Sequence, residues 1–175
     1  MSITSHDGSA LKKSPVTIGK RAEFLDQTKW GRDFEWGQLE SLAAYFEHYE
    51  IPVNSTLFSE GSREAYMALI TSGKVKIHKT GESGKHRRIC VLGPGQAFGE
   101  MSLVDGYPRS ASVVAMERVT LLILSRASFT QLSQEAPQLA VKLLMKIAKL
   151  MSERLRQTSG ILIDYLDDTS KVEGK

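Results

Sequence analysis

Apolar residues recur with two different periods along this chain, and the change of period divides it into three parts. From Trp36 to His48 they fall at Trp36, Leu39, Leu42, Ala43 and Phe46, one face of an α-helix, with His48 near the last carbonyls. Pro52 ends that pattern. Beyond it, short apolar runs predict strands near 55–59, 65–71, 74–80, 87–92, 97–98, 110–115 and 118–124. Glu60-Gly61-Ser62, Ser72-Gly73-Lys74 and Gly81-Glu82-Ser83-Gly84 are the turns between them. After Ser125 the helical period returns: a short helix over about 127–134, then a long one opened by Pro137 and running to Thr158 or past Gly160 toward Leu166. Short strands at this density predict a mainly-β fold with flanking helices, a jelly-roll β-barrel rather than an α/β sheet.

The long helix carries two apolar stripes. One holds Ala140, Leu143, Ile147 and Leu150 and leads on to Arg154; the other holds Leu144, Ala148, Met151, Leu155, Thr158, Leu162 and Tyr165. The second alternates steps of four and three, as a coiled-coil seam does. A helix lying on a domain needs one buried face, so the second predicts a homodimer through this helix; packing of both faces within one monomer is the other arrangement. Residues 1–22 lack periodicity and are expected to be a flexible leader, 23–166 the domain with its last helix over about 137–166, and 167–175 a flexible tail.

Composition narrows the function by exclusion. In 175 residues, 25% are charged and the net charge is +3, with no dense Lys/Arg block of the kind that tracks nucleic-acid phosphates. The basic cluster Lys85-His86-Arg87-Arg88 reads as a solvated hairpin end, and no direct DNA binding is expected. Cys90 is the only cysteine, so no internal disulfide or cysteine-based metal site forms; it reads as a small apolar filler in a strand. No signal peptide or membrane-spanning run is visible, so a cytoplasmic location without membrane contact is expected. The histidines His6, His48, His78 and His86 are scattered without a metal-ligand spacing, and neither a G-x-S-x-G elbow nor a G-K-[ST] phosphate loop occurs. Neither catalysis nor a cofactor is expected.

The chemistry concentrates in Phe98–Val113, FGEMSLVDGYPRSASV. Glu100 offers a carboxylate to a sugar hydroxyl, and Arg109 a planar fork of donors to phosphate oxygens. Gly99, Ser110 and Ala111 are small enough for the backbone to approach a ligand closely. This segment resembles the phosphate-binding cassette of the cyclic nucleotide-binding domain, the module of protein kinase A regulatory subunits and catabolite-activator-type transcription factors. The family pattern, F-G-E-(L/I)-(A/S)-L followed after a short turn by (P)-R-x-A-x-V, is met by Phe98, Gly99, Glu100, Met101, Ser102 and Leu103, then Pro108, Arg109, Ala111 and Val113. The resemblance covers about residues 36–158.

It implies a jelly-roll interrupted by a short helix around 101–104, with the phosphate of a cyclic nucleotide held by Arg109, Ser110 and the Ala111 backbone, and the ribose by Glu100 and Gly99. Cyclic AMP is the expected ligand, with cyclic GMP the other candidate: in the family a small hydroxyl beside the arginine occurs in cyclic AMP binders and Thr accompanies cyclic GMP, so Ser110 leaves that choice open. Arg154 falls where the last helix would reach the purine, as a base cap or as an ordinary surface arginine. Ser112 reads as a packing residue and Tyr107 as a turn residue over the cassette. Fewer than about 20 residues follow the long helix, too few for a helix-turn-helix domain, so output is expected through an unidentified effector protein. The competing expectations are a homodimeric interaction scaffold that ignores nucleotide, and a binder of cyclic GMP or a cyclic dinucleotide.

Overall fold

The computed structural model describes residues 12–81 and 84–173, with side chains as far as 167. Nine strands follow in order: β1 (Lys12–Lys13), β2 (Glu47–Ile51), β3 (Thr56–Phe58), β4 (Tyr66–Ser72), β5 (Val75–Thr80), β6 (His86–Leu92), β7 (Ala97–Phe98), β8 (Ser112–Ala115) and β9 (Val119–Ser125). They form two sheets, β1-β2-β9-β4-β7 and β3-β8-β5-β6, with every pairing antiparallel. The expected jelly-roll class holds, although the ladders remain two open sheets facing each other instead of closing into one barrel.

Strand alternation explains why the helices are needed. In β4, Tyr66, Ala68 and Ile70 point into the space between the sheets, while Met67 and Leu69 point to the opposite side. β9 does the same, with Leu121 and Ile123 between the sheets and Leu122 and Leu124 outside. The outer residues form a second core with five helices: α1 (Ile18–Asp26), α2 (Trp36–Ala43), α3 (Glu100–Asp105), α4 (Arg126–Glu135) and α5 (Pro137–Glu173). Burial on both faces is why these two strands read as continuous apolar runs.

Three boundaries differ from the sequence expectation. Order begins before residue 23: β1 pairs with β2, and α1 starts at Thr17, whose hydroxyl accepts from the Lys20 N–H, with Ala22 and Leu25 buried. The helix expected to reach His48 stops at Ala43, and His48 instead lies in β2 between β1 and β9. The long helix passes Gly160 without a break, and its backbone continues through Glu173 into the expected tail. Residues 1–11 of the leader, 82–83 of the hairpin turn and the side chains from 168 onward lie outside the described residues.

Of the two stripes on α5, the first is buried: Ala140, Leu143 and Ile147 join the helix-side core, with Leu150 packed against it. On the second, Met151 packs against that core, while Leu144, Leu155, Leu162 and Tyr165 are exposed. Among the described residues no helix is long and apolar enough to cross a membrane.

His48 is 6% exposed, stacks on Phe24 at 5.5 Å, and neither ring nitrogen has a hydrogen-bond partner among the described residues. Burial holds its pKa below the ordinary value, reinforced by Arg21 and opposed by Glu50. The unfolded chain therefore takes up a proton that the fold resists, so stability is full above about pH 6.5 and declines below it. His78, also held low chiefly by burial, acts in the same direction. We expect the melting temperature to fall between pH 7.5 and 5.5 and His48→Phe to fall less; an identical fall in the variant would remove His48 as a cause.

Candidate functional site

The cassette begins at Gly99, whose φ of +77° lies in the left-handed region. A Cβ there would stand 2.6 Å from Arg109 Nη1 and 2.8 Å from the Tyr66 carbonyl oxygen. Only glycine both turns the chain into α3 and lets the arginine pass beneath it. Gly106, at φ +73°, ends α3 and sends the chain back toward Arg109. The Arg109 backbone is then fixed to the turn after β3: its N–H donates to the Ser62 carbonyl, and its carbonyl accepts from the Gly61 N–H, both at 2.8 Å.

So anchored, the Arg109 side chain lies 4% exposed. Its Nη1 donates to the Tyr66 carbonyl at 2.8 Å, the Gly99 carbonyl at 3.0 Å and Ser102 Oγ at 2.5 Å. Its Cζ lies 3.8 Å from the Phe58 ring centroid and 4.3 Å from that of Tyr66. Phe98 packs at 5.9 Å against Phe58 and completes the aromatic floor. Burial lowers the guanidinium pKa, while Tyr66, Glu64 and Glu100 oppose that shift. Arginine remains a cation even so. Nε and Nη2 are buried and have no hydrogen-bond partner among the described residues.

Glu100 is the second buried charge, at 3% exposure. One oxygen accepts from Arg154 at 2.6 Å, while the other, Oε2, is buried without a partner. Arg154 also donates to the Ala97 carbonyl, so one side chain of α5 spans the start of β7 and the start of α3. It therefore sits on the carboxylate.

The structure thus gathers Phe98, Gly99, Glu100, Ser102, Arg109 and Arg154 into one cluster. Ser110 and Met101 sit at its outer rim, both exposed, with Ser110 Oγ 3.7 Å from the Met101 sulfur, and Ala111 is half-buried beside them. Ser112 is a packing residue, its hydroxyl accepting from the Glu60 N–H at 2.9 Å. Tyr107 is 72% exposed in the turn. Sequence reasoning missed Phe58, Tyr66 and Ser62. Alternation in β3 and β4 places the two aromatics on an inner face, but no motif marks them as a seat for a cation. Among the described residues no group of three metal-ligating side chains occurs.

The family model for the cyclic nucleotide-binding domain matches residues 50–136. A solved cyclic nucleotide-binding domain from Methylobacillus flagellatus is 32% identical with a TM-score of 0.72, over 80% of this chain and 79% of that one. This chain belongs to the cyclic nucleotide-binding domain family. The N-terminal domain of a transcriptional regulator from Streptomyces coelicolor is 31% identical with a TM-score of 0.65, over 77% of this chain and 94% of that one. The cyclic AMP receptor protein of Thermus thermophilus is 37% identical over 69% of this chain and 54% of its own length. The chain spans about half the length of the curated relatives it matches. Domains of this family serve as regulatory and sensor modules, and one relative, 28% identical over 66% of this chain and 37% of its own length, is a Pycsar effector protein from Xanthomonas perforans.

Gly99→Ala tests the cassette turn. A left-handed backbone costs a residue with a Cβ about 1–2 kcal/mol, and the contact with the Tyr66 carbonyl adds to it. Denaturant unfolding should show a loss of about 2 kcal/mol or more, and an unchanged midpoint would mean that the turn accommodates a side chain.

Proposed function

We propose that this chain senses cyclic AMP and passes the signal through its last helix to a partner protein. What supports the reading above all is the pair of buried, oppositely charged groups with unused hydrogen-bonding capacity: Arg109 Nε and Nη2, and Glu100 Oε2. A buried charged donor without an acceptor is costly, and a phosphate oxygen relieves it. The cyclic phosphate would accept from Arg109, from the Ser110 hydroxyl and from the Ala111 N–H. The ribose 2′-hydroxyl would donate to Glu100 Oε2. Each charge-assisted bond contributes about 1.5–3 kcal/mol, and micromolar binding needs about 8 kcal/mol. What supports cyclic AMP over cyclic GMP is the Thermus relative, a cyclic AMP receptor protein.

Transmission would run through Arg154. It ties α5 to the same carboxylate that would meet the sugar. A nucleotide that rearranged this pair would reset where α5 lies or how the purine is capped. That works as a switch only if the nucleotide binds one arrangement of α5 better than the other. The exposed stripe of Leu155 and Leu162 would meet a second copy.

Calorimetry with cyclic AMP and cyclic GMP tests the ligand: saturable heat with a preference for cyclic AMP is expected, and none from either would leave a scaffold. Arg109→Leu keeps an apolar side chain between Phe58 and Tyr66, so it should stay folded while binding weakens at least about tenfold. Leu155→Glu with Leu162→Glu should yield monomers in sedimentation, where the unaltered chain is expected to sediment as a dimer.

A further inference from the structure

The free edge of the four-stranded sheet carries chemistry that nucleotide binding leaves unused. β6 ends the order β3-β8-β5-β6, so one side of its backbone has no ladder partner among the described residues. Ile89 and Val91 on this strand are 59% and 38% exposed. Lys76 stands opposite Val91 and His78 opposite Arg88, with an irregularity in the register between them that accommodates Ile89. No Asp or Glu occurs from Lys85 to Leu92. Lys79 shares Glu60 at 3.6 Å, but Lys76, Lys85, Arg87 and Arg88 are paired with no carboxylate among the described residues.

Edge cations and bulges commonly protect a sheet from pairing with itself. Here they would repel the β6 of another copy, but they would attract a strand of opposite charge. Protection by charge alone does not call for exposed β-branched side chains beside the cations. A nucleic-acid track is disfavoured because no Phe, Tyr or Trp lies between Val75 and Leu92 to stack a base. Open backbone donors and acceptors, apolar side chains and one sign of charge fit an extended acidic peptide added as a further strand.

We propose that β6 is a docking edge for an extended, acidic, β-branched segment of a partner protein. Its carboxylates would lie against Arg87 and Arg88 and its apolar side chains over Ile89 and Val91. The inference does not depend on the nucleotide, and its test is run on the full chain without one. The probe is a fluorescent peptide of alternating Glu and Val, matched to the 7 residues of β6. Saturable binding that weakens with salt, together with slowed hydrogen exchange confined to 86–92, is the expected result. Arg87→Glu with Arg88→Glu should weaken it by about tenfold or more, with circular dichroism unchanged. No binding, equal binding of a Lys-Val peptide, or protection elsewhere on the domain would each overturn the proposal. Tight binding of single-stranded DNA without the peptide would overturn it in favour of a nucleic-acid surface.

Discussion

A guanidinium held away from water organises this domain. Burying a charge costs several kcal/mol unless partners replace its hydration. Arg109 recovers part of that cost through three acceptors on Nη1 and two aromatic faces, supplied by β3, β4 and the cassette. Tyr66 contributes twice, with its carbonyl and its ring. The register of β4 against β9, the left-handed turn at Gly99 and the return of the chain at Gly106 must therefore all agree before the arginine fits. The arrangement fixes Nη1 and leaves the rest of the fork without acceptors.

The two-sided burial of β4 and β9 connects that cation to the helices. Tyr66 faces the arginine, and the next residue, Met67, faces the helix-side core that contains Leu143 and Ile147 of α5. Two turns beyond Ile147, the same helix face presents Arg154 to Glu100. A side-chain layer and an ion pair thus join α5 to the cassette. A change at the carboxylate has a short physical route to the helix, through contacts rather than through distance alone.

Much of this was legible in the sequence, and the failures have particular causes. The cassette was readable because Gly99, Glu100 and Arg109 each do a different job at fixed spacing. The buried stripe of α5 was readable because an amphipathic helix signals its period over many turns. β2 was not: Glu47-His48-Tyr49-Glu50-Ile51 follows a helix without a glycine stop, and its polar residues continue the helical pattern. The strand exists because β9 offers it a full ladder, a tertiary fact that no local pattern carries. The helix over 18–26 was missed because its residues are polar on average and only Ala22 and Leu25 are buried, too few to stand out as an apolar stripe. Phe58 and Tyr66 looked like ordinary core aromatics, and their role depends on an arginine more than forty positions away.

The charges gathered at the site define what it complements. Arg109 and Arg154 bring two positive charges and Glu100 one negative, while Glu64 acts on Arg109 from an exposed position where water screens it. The local balance is one positive charge, which a singly ionised phosphodiester neutralises. A phosphate monoester at neutral pH would bring a larger negative charge, close to two, and overshoot it. Because Glu100 already engages Arg154, the cation left to seek a partner is Arg109, deep under the cassette. A ligand that answers it must carry its anion inward and its hydroxyl toward Glu100 Oε2 at the same time. The sugar and phosphate of a cyclic nucleotide are joined in one fused ring system, so the molecule presents both groups at fixed separation with little conformational freedom to lose.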